Sequence, residues 1–367
     1  MSAARKKTWG YAGAGKIAAA AWTRYSFVFV FAIIILVYAF TISANGNAFK
    51  WSHVAAILSS QNTVIVGTIA LGMAMVIITG QIDLSVGSAL VLCTGATIMA
   101  FNITDNIFLT LLAAAGTGVI CGLINGVLVG YAKMPPFIVT LGTMLIYRSL
   151  TLSFVRQINP AITGSTSSQF SLISQNRNYD FLRMQFGTGN LDIGGLRVPY
   201  ITFLFLFLLI MMIIAAKNTK YGKSVYAVGS NEKTSRLVGV NVQGVKVSVF
   251  VLTGFLVGLA SFVQACKIGN VTPASSGKSY EMYAIAAVVL GGVNMSGGRG
   301  NILGVFFGAL SYTTINFIIV SIPSLSTDIQ DTFQGLVLIA VILVQTAGPV
   351  IKERILTLKR RRNSALS

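Results

Sequence analysis

Acidic side chains are scarce in this sequence: 9 Asp and Glu stand against 27 Lys and Arg, and charged residues of every kind make up only 10% of 367 residues. A soluble domain uses about 25%, so a water-facing surface cannot be built from this supply. Histidine occurs once, at His53, which leaves histidine-dependent acid-base chemistry and metal sites almost nothing to work with. Cysteine occurs three times, at Cys93, Cys121 and Cys266, each alone in an apolar run and without the spacing of a metal site or a disulfide framework. What the chain does hold is apolar, with 54% hydrophobic residues and a mean hydropathy of +0.77. Lipid must therefore solvate most of its side chains.

A formal charge of +18 suggests a nucleic-acid partner only if the bases gather on one surface. Here they sit in short clusters between apolar runs, and nucleic acid is excluded as a partner. Crossing a bilayer as a helix takes about 20 mainly apolar residues, with every backbone polar group satisfied inside the segment. That rule predicts an all-α integral membrane protein of roughly ten transmembrane helices, at 25–43, 62–79, 84–101, 107–131, 137–155, 200–216, 247–266, 280–293, 301–320 and 330–347. The eighth is short and carries Glu281, so a broken or re-entrant segment is expected there. The first run is longer than a signal-peptide core of about 7 to 15 residues and reads as a retained helix.

Cytoplasmic loops collect Lys and Arg. The bases before the first span, Lys133, those from Lys217 to Lys246, Arg299 and those after Lys352 all fall on one side of a ten-span topology. Both termini are thus expected in the cytoplasm, with a basic segment at 1–24, the membrane domain at 25–347 and a basic tail at 348–367. Two loops are long. The outer one, about 156–199, is polar with short apolar interruptions such as Phe170 to Ile173, and suits either a partner-receiving surface or a passive cover. The inner one, about 217–246, has the apolar spacing of a short amphipathic helix.

Three motif matches fail on context. Gly10 to Lys16 fits a phosphate-loop spacing, but Ile17 stands where a magnesium-binding Ser or Thr belongs and no α/β domain surrounds it. Met295 to Arg299 resembles the signature of transport ATPases, again without a phosphate loop. Asn102-Ile103-Thr104 fits a glycosylation sequon but ends an apolar span.

Polar groups within membrane spans default to functional candidates. Asp83 lies in Gly80 to Gly87, and its simplest role is to accept amide hydrogen bonds at the start of the following helix. A related string, Gly291 to Gly298, shares the pattern G-x-[IV]-[DN]-[LM]-S-x-G and hints at two related halves. Asn125, Gln264, Glu281, Asn294 and Asn316 complete the candidates for a substrate pathway. Any of them is equally suited to an interhelical hydrogen bond.

Several strings together carry a family resemblance: GQIDLSVG at Gly80 to Gly87, GLINGVLVG at Gly122 to Gly130, PPFIVTLG at Pro135 to Gly142, YGKSVYAVGSN at Tyr221 to Asn231, RLVGV at Arg236 to Val240, and the segment from Tyr280 to Gly300. The chain resembles the permease subunits of bacterial ribose, galactose, xylose and arabinose ABC importers, over roughly residues 25 to 347. It departs from the usual pattern at Gln81, at Thr234-Ser235 and at Met282-Tyr283. The resemblance implies a multi-pass protein of the bacterial cytoplasmic (inner) membrane that moves a monosaccharide by alternating access and is not itself an enzyme. It also implies a second permease subunit, a cytoplasmic ATPase that uses ATP and magnesium, and an extracytoplasmic sugar-binding protein, with no cofactor on this chain. The inner loop is then the ATPase-coupling element, carried by Tyr221, Gly222, Lys223, Gly229, Asn231, Glu232, Arg236, Leu237, Gly239 and Val240. Val225, Ala227, Leu237 and Val240 are expected to enter a groove on the partner, with Lys223, Lys233 and Arg236 on its acidic rim. The rival reading is a secondary transporter driven by protons or sodium, for which Asp83 and Glu281 would supply a minimal pair of carboxylates.

Overall fold

The computed structural model describes residues 7–165, 168–193 and 196–322, together with five helical positions at 332, 335, 336, 339 and 343. The chain runs through helices α1 (Lys7–Ala44), α2 (Trp51–Ser59), α3 (Gln61–Ile78), α4 (Val86–Thr104), α5 (Ile107–Gly130) and α6 (Pro136–Gln157). The short α7 (Pro160–Thr163) and α8 (Tyr179–Arg183) follow, then α9 (Tyr200–Asn218), α10 (Lys220–Ser230), α11 (Glu232–Leu237), α12 (Val242–Ile268), α13 (Tyr280–Leu290) and α14 (Ile302–Ser321). Local chemistry sets many of the boundaries: Asn106, Asn231, Asn241 and Asn301 each accept amide hydrogen bonds from the first turn of the helix they precede. Pro135 and Pro136 open α6, where a missing N–H costs nothing.

Among the described residues seven helices are long and apolar enough to cross a membrane, and α2 with α3, bent by 51°, makes an eighth if counted as one span. The expected tenth span, 330–347, lies outside the described residues apart from those isolated helical positions. The expected eighth span, 280–293, is corrected: α13 has 11 residues, about 16 Å of helix at 1.5 Å per residue, too short to cross. Its C-terminus is fixed by Gly292 at φ +78°, a left-handed conformation that ends a helix.

The bundle has a centre and a rim. α3 is buried along nearly its whole length and packs against α12, α13 and α14, while α12 is also covered by α4 and α5. α1, α5, α6 and α9 sit outside and turn large apolar side chains outward, among them Phe40, Phe108, Ile138, Leu145 and Phe207. Exposed apolar faces of that extent are costly in water and matched to hydrocarbon.

The described parts of the segment after α6 are tied to the bundle. Phe170 is fully buried under Gly95, and β1 (Phe170–Ser171) pairs antiparallel with β4 (Asn270–Val271). The Asn102 amide donates to Ile162 O at 2.8 Å and Ser171 O at 2.9 Å, and its carbonyl accepts from Ile173 N at 3.0 Å. The sequon asparagine is thereby spent on holding this segment down. A hairpin, β2 (Asn190–Ile193) with β3 (Leu196–Pro199), leads into α9.

Candidate functional site

The two related strings both fold as helix breaks. Gly80 ends α3 and Gly292 ends α13, each at φ +78°. Gly80 and Gln81 donate to Ile77 O and Val76 O at 2.8 and 3.1 Å, and Gly292 and Val293 donate to Val289 O and Val288 O at 2.9 and 3.2 Å. This is the same left-handed termination twice. An Asx turn follows in each: Ser85 N donates to Asp83 Oδ1 at 2.8 Å, and Ser296 N donates to Asn294 Oδ1 at 2.9 Å. The spacing from glycine to Asx is one residue longer in the first break, a difference the bare string alignment conceals.

The breaks touch each other and α10. Gly298 N donates to the Ile78 carbonyl at 2.8 Å, joining the loop after α13 to the end of α3. Gly229, near the end of α10, lies so close that a Cβ there would overlap Ile78 O and sit 2.7 Å from Gly298 N. A Cβ on Gly297 would sit 2.9 Å from Gly80 N. Tyr226, one turn earlier on α10, donates its phenol to Gly300 O at 3.0 Å, and burial raises its pKa so that the proton stays on. Backbone meets backbone at this node because glycine occupies every position where a side chain would intervene.

The pathway candidates separate into five places. Asp83 is buried beside the first break, where Ser85 Oγ also donates to it at 2.7 Å, and the Asn125 amide on α5 donates to Ser85 Oγ at 2.8 Å. Asn294 belongs to the second break. Glu281 opens α13 against α4, where a methyl on Gly87 would meet Glu281 Oε2 and Gly277 O at 2.5 Å. Gln264 is buried on α12, and its Oε1 has no hydrogen-bond partner among the described residues. Asn316 stands apart, lining a cavity of about 290 Å³ at the opposite end of α3 from the breaks, near Ser60 and Asn62.

The loop residues show a division of labour. Tyr221 and Val240 pack against the core, and Gly222 lets α10 approach the Ala215 and Ala216 carbonyls of α9. Val225 is fully buried within this chain, so the expectation that it enters a partner's groove is corrected. Leu237 and its neighbour Val238, which the sequence reading passed over, are 87% and 73% exposed at the end of α11. Gly239 beyond them holds φ +83°. Asn231 caps α11, and Glu232 pairs with Arg236 at 3.4 Å and with Lys246 of α12 at 2.9 Å. Lys223 is exposed on the outer face of α10.

Other contributors went unnoticed in the sequence. Arg148 on α6 donates to Pro273 O at 2.7 Å and Ser276 O at 2.6 Å, clamping the loop before α13. Gly118, Gly122, Gly126 and Gly130 form one stripe of α5 against α12, and their four-residue spacing was legible as a close helix crossing.

A bundle with a lipid-facing rim, a buried polar centre and two broken helices defines a multi-pass membrane protein of the transporter class. Residues 56–342 match the family described as the permease component of branched-chain amino acid transport systems. The ribose import permease protein of Bacillus subtilis (strain 168) is 37% identical over 76% of this chain and 80% of its own length. The fructose import permease protein of Rhizobium meliloti is 33% identical over 83% and 80%, and the galactose/methyl galactoside import permease protein of Escherichia coli (strain K12) 31% over 68% and 74%. No solved structure matches. The chain belongs to this permease family and is the multi-pass, inner-membrane permease subunit of an ABC importer.

Proposed function

We propose that this chain carries a monosaccharide inward after its delivery by an extracytoplasmic binding protein, driven by a cytoplasmic ATPase that binds ATP and magnesium on its own subunit. The cluster of Lys and Arg from Lys217 to Lys246 puts α10 and α11 on the cytoplasmic, ATPase side, and a second permease subunit completes the pathway. The observation that carries this reading is the node: α10 contacts both helix breaks directly through Gly229 and Tyr226. Motion imposed on α10 from outside therefore reaches the end of α3 and the loop after α13 by direct contact. Leu237 and Val238 supply an exposed apolar tip for the partner's groove, with Arg236 beside it for an acidic rim. ATP binding then shifts the bundle between two conformations by its differential affinity for them. The sugar assignment rests on the import permeases that resemble this chain, whose printed cargoes are ribose, fructose and galactose.

The docking surface is tested by co-expression with the candidate ATPase and purification in mild detergent. A chain carrying Arg236→Glu and Gly239→Asp is expected to stay monodisperse and to retain less than a tenth of the ATPase bound by wild type. Gly239→Asp adds strain at a left-handed position, and Arg236→Glu reverses the charge at the rim. Undiminished binding by this variant would remove α11 from the interface.

A further inference from the structure

We propose that the cavity lined by Tyr280, Tyr283, Tyr312, Asn62, Thr313 and Asn316 is an entry subsite for a neutral, hydroxyl-rich ring. The inference rests on the sugar reading above and assigns it a place. The cavity measures about 290 Å³, at the small end of ligand sites, which run from roughly 300 Å³ upward. It lies between the start of α3, the start of α13 and the outer half of α14. This is the far end of the bundle from α10, where a solute released by an extracytoplasmic partner would arrive.

Its lining has two kinds of surface. The rings of Tyr280 and Tyr283 stand 5.6 Å apart, and those of Tyr283 and Tyr312 stack at 5.1 Å and 30°. Together they make one aromatic wall across α13 and α14. The same cavity is lined by Asn62, Asn316 and Thr313, whose hydroxyl is fixed by a 2.8 Å hydrogen bond with Thr63. A pyranose or furanose ring presents C–H groups on its faces and hydroxyls around its edge, and this cavity offers a matching face and edge. Among the described residues no Asp, Glu, Lys, Arg or His lines it. An amino acid, the cargo named in the family description, carries a carboxylate and an ammonium group that need ionic or multiple hydrogen-bonding partners when desolvated. The described lining supplies hydrogen-bonding groups but no ionic partner for either charge, which favours the neutral solute.

Tyr280 and Tyr283 also occupy the first turn of α13, which ends at the break whose loop enters the glycine node. Eleven residues of helix join the subsite to the break that meets α10.

The test uses the complete importer, permease with its ATPase and binding protein, in proteoliposomes, with labelled ribose and labelled leucine as probes. Wild type is expected to take up ribose and not leucine. Tyr283→Ala and Asn316→Leu are each expected to lower ribose uptake at least tenfold in complexes that assemble normally by size exclusion. Tyr283→Phe keeps the ring and is expected to stay within threefold of wild type. Leucine uptake without ribose uptake by wild type overturns the sugar reading and the subsite with it. Ribose uptake by wild type that persists undiminished in the assembled Tyr283→Ala and Asn316→Leu complexes overturns the subsite alone. Equal loss in Tyr283→Phe and Tyr283→Ala contradicts ring stacking as the recognising contact.

Discussion

Gly229→Val is expected to abolish ATP-driven uptake while leaving the ATPase bound. A branched side chain at this position overlaps the Ile78 carbonyl and crowds Gly298 N at 2.7 Å. Both obstacles are backbone, fixed by their own hydrogen bond of 2.8 Å, so no rotamer change can absorb the clash. α10 must move outward, and the Tyr226 phenol loses its 3.0 Å hydrogen bond to Gly300 O. The exposed tip at Leu237 and Val238 lies beyond this contact and stays available. The expected signature is a complex of normal composition whose ATP hydrolysis no longer rises when loaded binding protein is added, with uptake reduced at least a hundredfold. Wild-type uptake in this variant would show that the node transmits nothing.

Gly254→Leu is expected to prevent assembly of the bundle altogether. Gly254 of α12 and Gly118 of α5 cross so closely that a Cβ on either overlaps the other's carbonyl oxygen. The approach continues along the helices, with Cβ positions at Gly126 and Gly130 falling 2.8 and 2.9 Å from Val247 O and Gln243 O. Overpacking a core usually costs about 1–3 kcal/mol because side chains yield. Here backbone opposes backbone along the most extensive helix pair among the described residues, and the cost is that of separating α12 from α5. No monodisperse protein should elute from a sizing column after detergent extraction. Gly116→Leu, on α5 two residues before Gly118 but with no neighbouring atom within 4 Å of its Cβ position, should express and elute like wild type. Equal recovery of the two variants would contradict close packing as the bond between α5 and α12.

Most of the spans were legible because a membrane helix must be both long and apolar, and both properties are properties of a segment. α4, α5, α6, α9, α12 and α14 begin and end within about five residues of the runs that announced them. α13 was misjudged in length for the same reason: Gly291 to Val293 continues the apolar run, and hydropathy does not register that Gly292 adopts φ +78°. Val225 was assigned to a partner because a local amphipathic pattern shows that a face is apolar without saying which body covers it. The structure shows that α10 spends that face on its own chain. Phe170 in its buried pocket and the clamp from Arg148 to Pro273 and Ser276 depend on partners about 75 to 128 residues away, beyond the reach of any window.

The repeated G-x-[IV]-[DN]-[LM]-S-x-G string was legible as a pattern, and its physical content was only half visible. The Asx turn follows from Asp83 and Asn294 preceding serine by two residues. The meeting of the two breaks over Gly229 could not be read from either string. Asp83 and Asn125, found separately as intramembrane polar groups, proved to share one serine. Asn316, found on the same criterion, lies at the other end of the bundle.

Energy source is the claim on which the account stands, and reconstituted uptake measures it directly. Proteoliposomes containing the permease, its ATPase and its binding protein should accumulate labelled ribose only when the ATPase is supplied with ATP and magnesium, and a protonophore or sodium ionophore should leave the rate unchanged. Uptake by the permease alone under an imposed proton or sodium gradient, without ATP, would contradict the account and return Asp83 and Glu281 to the role of a coupling pair.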